Sequence, residues 1–314
     1  MDAGLCAEKC ADVLQEKQNS DGGWGYHEET PSRVEPTCWA VSALTAAGEC
    51  GKRSGAITNA RHYLLANQKK EGFWTASPEM KTGNWVTSLV CAVLSQQAGT
   101  ESPTLAAMEW LCADYPLDSS PLLRFLRSFS KAKNISQHEN TYRGWGWTPR
   151  TSSWVEPTAF ALLAMQEFDQ KRLPSVAARR QKSAVGLLYD RRCPDGGWNC
   201  GNPRVYGVAG EALVLPTAWA LISLRNLPKH ESKSLSLAWL EKQMPKIQSP
   251  GSLAVAGMCL ETYGKESTQL KSRLHDYDVE TLLEDGIHVL AWVCLAMSPG
   301  RRWPARIEGR HEPS

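Results

Sequence analysis

The sequence predicts an all-α domain of repeated helix pairs, in which buried helices form an inner ring and half-exposed helices form an outer ring. Two observations predict this class. A Gly-Trp turn recurs before a Pro-Thr helix start, and uniformly apolar helical segments alternate with amphipathic ones. Half-buried strands would show sustained alternation of apolar and polar residues, which this sequence lacks. We therefore expect about twelve helices in roughly six pairs, with negligible strand content.

The repeat consists of a Trp in a Gly-rich turn, followed at a set distance by a Thr. The two residues are 13 positions apart in three copies and 19 positions apart in a fourth, which has a longer loop. The copies pair Trp24 with Thr37, Trp74 with Thr87, Trp145 with Thr158 and Trp198 with Thr217. In three copies a Pro precedes the Thr, and Pro suits a first helical turn because the N–H that it lacks would have no intrahelical partner there. Four matches in order and spacing indicate a structural repeat.

The helices on either side of each turn differ in their apolar pattern. Residues 40–44 and 218–222, which follow the turns, are small or apolar on nearly every face, as expected of buried helices. Residues 60–68, which precede a turn, mix apolar and charged side chains at helical spacing. Further helix-like runs near 105–112 and 122–129 indicate a degenerate unit between the second and third copies.

Composition and charge limit the classes of partner. The chain has 314 residues, 42% of them hydrophobic, and its 35 basic and 33 acidic residues give a net charge of +2. Without a basic run interleaved with aromatic residues, we expect no nucleic-acid partner. Neither an uninterrupted apolar window of about eighteen residues nor a signal-peptide pattern occurs. We expect a cytoplasmic protein with no transmembrane segment, for which peripheral membrane contact stays open, comprising one domain over 1–297 and a loose polar tail over 298–314.

The ten cysteines are spread along the chain rather than concentrated as in a small disulfide-bonded domain. Four of them lie inside apolar runs, where a thiol behaves as a small buried hydrophobe. These are Cys38, Cys91, Cys259 and Cys294. No CxxC pair occurs and no His lies at metal-ligand spacing from a Cys pair, so a zinc site is disfavoured.

The turns resemble the QW motif of the squalene and hopene cyclases. Gln18 and Gln68 each lie six residues before the Trp of their turn, whereas Glu139 and Arg192 occupy that position in the other two copies. In that family the Gln ties a helix end to the stacked Trp, so the motif is structural. The resemblance, shared with the protein prenyltransferase β subunits, covers roughly residues 5–297 and implies a single α/α toroid.

The resemblance also indicates a candidate catalytic acid. Class II cyclases protonate an alkene or epoxide with the middle Asp of an Asp-x-Asp-Asp-Thr motif at the start of an inner helix. Alignment on the Thr places Glu35 and Glu156 at that acid position, with a Pro in place of the third Asp. Arg33 is expected to keep Glu35 ionised, which favours Glu156 as the proton donor. Alternatively, both Glu residues stabilise a helix N-terminus through the helix dipole.

Aromatic residues surround the preferred acid. Trp145, Trp147 and Trp154 lie in the loop before Glu156, where their faces could stabilise a developing cation and their bulk could raise its pKa by burial. The inner helices carry four more aromatic residues that either belong to the core or line a central cavity. These are Trp39, Phe160, Trp219 and Trp292.

Two further sites have weaker support. In the protein prenyltransferases an Asp-x-Cys pair and a His bind zinc, but here a Glu stands where the Cys would be and His288 lies one position from the expected His. Zinc-dependent prenyl transfer is therefore disfavoured. Asp276 and Asp278 belong to the densest acidic cluster, which could hold Mg²⁺ on a diphosphate or supply an acid. The alternative for that cluster is a helix start with acids in its first turn.

Two functional hypotheses follow. The first is an isoprenoid-processing enzyme, a class II-like terpene cyclase or isomerase that protonates an apolar polyprenyl substrate with a carboxylic acid. It needs no cofactor, except Mg²⁺ if the substrate is a diphosphate. The second is a non-catalytic toroid that binds a lipid or a protein partner, which the missing Asp-x-Asp-Asp favours. An aromatic cavity holding a buried Glu would support the first hypothesis, and a centre filled by side chains would support the second.

Overall fold

The computed structural model describes residues 3–48, 50–95, 97, 99–117, 120, 125, 141–228, 230–298 and 303. This part of the chain contains thirteen α-helices and one short β-hairpin, which confirms the predicted all-α class. The hairpin, β1 (Arg204–Val205) and β2 (Val208–Ala209), lies in the longer loop of the fourth repeat. The predicted run near 105–112 is helical, whereas the run 122–129 falls outside the described residues apart from Phe125.

Six helices form the inner ring of the toroid. They are α2 (Val34–Ala46), α4 (Val86–Leu94), α6 (Val155–Glu167), α8 (Val214–Leu224), α10 (Pro250–Thr262) and α13 (Ile287–Met297). Each packs against the next, and α13 packs against α2, so the ring is closed. Their apolar residues are buried on nearly every face, as the sequence predicts, and α4 is buried along its whole length.

The remaining helices form the outer ring. They are α1 (Ala3–Glu16), α3 (Cys50–Ala66), α5 (Glu101–Ala113), α7 (Ala177–Asp190), α9 (Glu231–Gln243), α11 (Thr268–His275) and α12 (Val279–Glu284). Helices α3, α5, α7, α9 and α11 pack on α2, α4, α6, α8 and α10 respectively, while α1 packs on both α13 and α2. Helix α12 also packs on α13, so the result is an α/α toroid of six inner and seven outer helices among the described residues.

The Trp and the Thr of each repeat join the turn to both rings through hydrogen bonds. The backbone N–H of the Trp donates to the Thr hydroxyl oxygen over 2.8–3.0 Å in all four copies. The indole N–H donates over 2.5–2.9 Å to a main-chain carbonyl of an outer helix. The accepting carbonyls belong to Leu14, Leu64, Leu111 and Leu188. Because each of these Trp side chains is at most 3% exposed, the repeated Trp is a core residue.

The Gln of the QW-like motif connects each turn to the next outer helix. Gln18 donates through Nε2 to the carbonyl of Gly22, over 2.8 Å, and to that of Ala56 in α3, over 2.9 Å. Gln68 makes the matching pair of bonds, with its own turn and with Pro103 in α5. Gly22 has a φ of 88°, and a Cβ there would lie 2.6 Å from a backbone oxygen of α3. Only Gly allows this close approach.

A different residue performs the same task in the third copy. Glu139, which occupies the Gln position in sequence, lies outside the described residues. Arg180 of α7 lies over the ring of Trp145, with its guanidinium carbon 4.1 Å from the ring centroid, and donates to the carbonyl of Gly144 over 3.2 Å. A cation–π contact and a hydrogen bond therefore tie this turn to the next outer helix.

The ring closes where α13 begins. The backbone N–H of Ile287 donates to the carbonyl of Tyr26, in the loop of the first repeat, over 2.8 Å. Gly286 precedes it with a φ of 118°, and a Cβ there would lie 2.9 Å from that carbonyl oxygen. This contact places the ring of His288 edge-on to Tyr26, with 5.9 Å between centroids. Closure of the toroid therefore also brings His288 next to Tyr26.

The four cysteines predicted to be buried are all 0% exposed. Trp303, in the tail that the sequence predicts to be loose, is also buried, at 4% exposed. Among the described helices, none combines the length and the apolar character needed to cross a membrane.

Thr217→Val is expected to destabilise the fold by about 1–3 kcal/mol, because the buried backbone N–H of Trp198 loses the hydroxyl oxygen to which it donates over 2.8 Å. A lower urea midpoint with an unchanged slope would measure this loss. Thr217→Ser, which keeps the hydroxyl, is the matched control and should lose less. An unchanged midpoint for the Val variant would contradict the role given to this hydrogen bond.

Candidate active site

Two acids and four aromatic residues lie at equivalent positions near the starts of four inner helices. In α2, α6, α8 and α13 the second residue and the sixth residue lie one turn apart and therefore share a helix face. The second residues are Glu35, Glu156, Leu215 and His288, and the sixth residues are Trp39, Phe160, Trp219 and Trp292. The acids thus lie one helical turn from an aromatic layer.

The aromatic layer is continuous across the inner ring. The ring of Trp39 stacks on Trp219, with 5.4 Å between centroids, and lies 6.1 Å from Phe160 and 5.5 Å from Trp292. Trp303 adds a fifth ring, 4.8 Å from Trp39 and 5.6 Å from Trp219. We call these five residues the aromatic centre. The structure brings together the four aromatic residues that the sequence indicates on the inner helices.

Glu35 is partly buried at the start of α2, where its Oε2 accepts a hydrogen bond from the Tyr26 hydroxyl. Burial raises the pKa of Glu35, and its interactions with Tyr26 and with the Trp39 indole oppose this shift. Arg33 pairs instead with Glu79, over 3.7 Å between Nη1 and Oε2. The pKa of Glu35 is therefore raised by burial rather than lowered by the predicted contact with Arg33, whose ion pair is with Glu79.

Glu156 is partly buried at the start of α6 and makes no hydrogen bond to any described residue. Burial raises its pKa to about 7, and the negative charge of Glu35 contributes to the rise. A substantial fraction of Glu156 is therefore protonated at neutral pH, and the predicted direction of its shift is confirmed. The two acids lie on different helices of the ring, and the charge of Glu35 acts on Glu156 across the space between them.

The raised pKa of Glu156 predicts that stability depends on pH. Its folded value of about 7 exceeds the ordinary value of 4.5, so the folded chain binds this proton more tightly than the unfolded chain. The associated stabilisation is full below the unfolded pKa and is lost as the pH rises through the folded pKa. Between about pH 5 and about pH 8, the melting temperature of Glu156→Gln should therefore fall less than that of the wild type.

Thermal unfolding at both pH values checks this expectation. Glu109→Gln, the same change at an exposed position of α5, is the control and should follow the wild type. Parallel pH profiles for wild type and Glu156→Gln would show that Glu156 does not titrate in this range.

The three Trp residues predicted around Glu156 have different positions. Trp145 is the repeat Trp of the third copy, and its ring contacts Arg180 rather than the aromatic centre. Trp154 immediately precedes α6, and its backbone N–H donates to the carbonyl of Trp145 over 2.9 Å. Trp147 packs edge-on against Trp85, with 5.5 Å between centroids, and Trp85 lies 5.2 Å from Phe160. Of the three, Trp147 is connected to the aromatic centre through ring contacts.

Asp276 and Asp278 lie in a different part of the molecule. They line a cleft of about 600 Å³ between α1 and the segment that joins α11 to α12. Asp278 caps α12, since its Oδ1 accepts the backbone N–H of Thr281 over 2.7 Å, as the alternative of acids at a helix start predicts. The structure does not bring this cluster together with Glu35 and Glu156. Among the described residues, no group of three or more His, Cys, Asp or Glu side chains could hold a metal ion.

Sequence reasoning missed Tyr26 and gave His288 no role in the site beyond its rejection as a zinc ligand. Tyr26 follows the first repeat Trp by two positions, as Trp147 follows the third, so alignment of the turns could have identified Tyr26. His288 packs on Trp292, with 5.1 Å between ring centroids, and burial lowers its pKa. Its Nδ1 is buried and has no hydrogen-bond partner in the described part of the chain.

Part of this chain is similar in sequence to squalene-hopene cyclases. Residues 3–86 match the family model described as the squalene-hopene cyclase C-terminal domain. A squalene-hopene cyclase from Bradyrhizobium diazoefficiens is 37% identical over 86 residues, which is 24% of this chain and 13% of that protein. A probable squalene-hopene cyclase from Sinorhizobium fredii is 25% identical over 244 residues, which is 68% of this chain and 34% of that protein.

The fold is also found in a solved structure of nearly equal extent. A protein from Actinoplanes superposes with a TM-score of 0.63 and 18% identity, and the match covers 94% of this chain and 98% of that one. The chain is an α/α toroid. Its residues 3–86 are similar in sequence to the squalene-hopene cyclase C-terminal domain. The matches cover about a third or less of the curated relatives.

Proposed function

We propose that this protein is a class II-like terpene cyclase or isomerase, in which Glu156 donates a proton to an alkene of an apolar polyprenyl substrate. The observation that carries the proposal is the position of Glu156, a partly buried acid one helical turn from the aromatic centre, where burial raises its pKa to about 7. A general acid is most effective when its pKa lies near the working pH. The match to squalene-hopene cyclases supports the same reaction class.

In this proposal the alkene π electrons take the proton from the Glu156 carboxyl, so that a C–H bond forms and a carbocation remains. The faces of Trp39, Phe160 and Trp219 stabilise that cation as they would another cation. The Glu156 carboxylate then takes a proton from a carbon next to the cationic carbon, which forms a new alkene and restores the acid. The product is then an isomer of the substrate, and no redox cofactor takes part. A diphosphate substrate would bring Mg²⁺ as its counterion.

Glu35 and Tyr26 support the donor in this scheme. The charge on Glu35 raises the pKa of Glu156, while the hydrogen bond from Tyr26 holds the Glu35 carboxylate in place. In this scheme Glu35 and Tyr26 replace the neighbouring carboxylates of the family motif, which this sequence lacks. The ring of His288, whose pKa burial lowers, packs edge-on against Tyr26.

A non-catalytic toroid that binds a lipid or a protein is the second candidate. The observation that favours it is the packing of Trp303 against Trp39 and Trp219, which fills space at the centre of the ring. Fold alone cannot choose between the two, because function depends on the site that a fold carries.

Incubation with farnesyl, geranylgeranyl and squalene-type substrates, followed by product analysis, tests the proposal. We expect a cyclised or double-bond-shifted product with the mass of the substrate. Binding of these compounds without any product would favour the second candidate, and a product whose mass has changed would exclude an isomerase.

A further inference from the structure

Trp303 is a tail residue that lies inside the inner ring. Its indole is 4% exposed and contacts three inner helices, through Trp39 of α2, Phe160 of α6 and Trp219 of α8. The six inner helices form a closed ring through their own contacts, so the repeat architecture does not require this residue. The position of Trp303 therefore needs an explanation beyond closure of the toroid.

Some buried polar atoms in the aromatic centre, and one in the neighbouring His288, make no hydrogen bond to a described residue. The indole nitrogens of Trp292 and Trp303 are buried and have no hydrogen-bond partner among the described residues, and the same holds for Nδ1 of His288. By contrast, all four repeat Trp residues donate their indole N–H to a carbonyl. Protein interiors pair nearly all buried donors, so two unpaired indole N–H groups within one aromatic centre need an explanation, such as an absent partner. A ligand with an acceptor oxygen would supply one.

We propose that Trp303 occupies volume that belongs to the ligand of the aromatic centre, and that it sets the size and affinity of the ligand the site admits. The ligand class is an apolar chain carrying a hydrogen-bond acceptor oxygen, which would face the unpaired indole N–H groups. This inference rests on the proposed function, because it takes the aromatic centre to be the isoprenoid site.

The proposal predicts that Trp303→Ala gains affinity for a prenyl alcohol. We expect this variant to bind farnesol at least about tenfold more tightly than the wild type, because the ligand no longer has to displace a buried indole. Titration calorimetry with farnesol and with 3-methylindole measures the gain. In Trp303→Ala, 3-methylindole should compete with farnesol, since it restores the missing ring.

The two probes separate a ligand site from a simple cavity. Any cavity of indole size takes up 3-methylindole, whereas the longer farnesol binds tightly only if the space continues beyond the indole. Binding of 3-methylindole alone would show that Trp303 is an ordinary core residue and would overturn the proposal. Trp110→Ala, the same truncation at a half-buried residue of α5, is the matched control and should leave farnesol binding unchanged.

A second variant guards against misfolding. If Trp303→Ala does not fold, Trp303→Phe should show a smaller gain for farnesol, and wild-type affinity in that variant would overturn the proposal. Binding and catalysis are read separately: the double variant Trp303→Ala, Glu156→Gln should bind farnesol as Trp303→Ala does. Tight binding with no product from any variant would reject the proposed reaction and leave the role of Trp303 standing.

Discussion

Glu156→Gln is expected to lower the rate of any proton-initiated reaction of this protein by about 10²–10⁴-fold, the usual contribution of a positioned general acid. The substitution keeps the shape of the side chain and removes the acidic proton. Glu156 is the better donor of the two acids because its carboxyl makes no hydrogen bond to a described residue, whereas Glu35 accepts one from Tyr26. Initial rates on whichever substrate gives product measure the effect.

Glu35→Gln is the control for this prediction, and it should change the pH profile more than the maximal rate. Removal of the Glu35 charge takes away the second cause of the raised pKa of Glu156, so the pKa of Glu156 should fall. Loss of the protonated donor would then occur at lower pH, and the rate profile would shift in that direction. A wild-type rate for Glu156→Gln would exclude this residue as the proton donor and would leave Glu35 as the candidate.

The fold could be predicted from the sequence because the Trp-to-Thr spacing and the alternation of apolar and amphipathic helices both indicated repeated helix pairs. The spacing from Trp to Thr reflects a physical link, since the backbone N–H of Trp24 donates to Thr37 at the start of the inner helix. Such a link fixes the spacing, so the repeat is readable without a structure. The contacts of the third turn could be predicted less well. Arg180, which packs on Trp145, belongs to a later helix, and no local sequence pattern indicates that contact.

The candidate site could be predicted only in part. The pairing of Glu35 with Trp39 and of Glu156 with Phe160 follows from helical spacing, which places each pair on one face. The charge coupling between the acids did not follow, because it depends on how the ring brings α2 and α6 together. Trp303 was missed for a similar reason. A single aromatic residue in a polar tail has no period, and its burial depends on contacts with distant helices.

Trp74→Ala is expected to destabilise the protein by about 3–5 kcal/mol, the usual range for truncation of a buried Trp. The side chain is 0% exposed, and the change removes both its packing and the hydrogen bond from its indole nitrogen to the carbonyl of Leu64, over 2.6 Å. Because native domains are stable by only about 5–15 kcal/mol, this loss is a large part of the total. Equilibrium unfolding in urea measures it, with the midpoint as the readout.

Two further variants divide this loss into its causes. Trp74→Phe keeps most of the ring packing but leaves the Leu64 carbonyl without its donor, so it should lose about 1–3 kcal/mol. Trp239→Ala makes the same truncation at a half-buried residue of α9 and should lose less than Trp74→Ala. If Trp74→Ala kept the wild-type midpoint and lost ligand binding instead, the repeat Trp would belong to the site and not to the framework. The hydrogen bonds from the Trp74 indole to α3 and from its backbone to the Thr87 hydroxyl of α4 argue for the framework, because together they join the two rings.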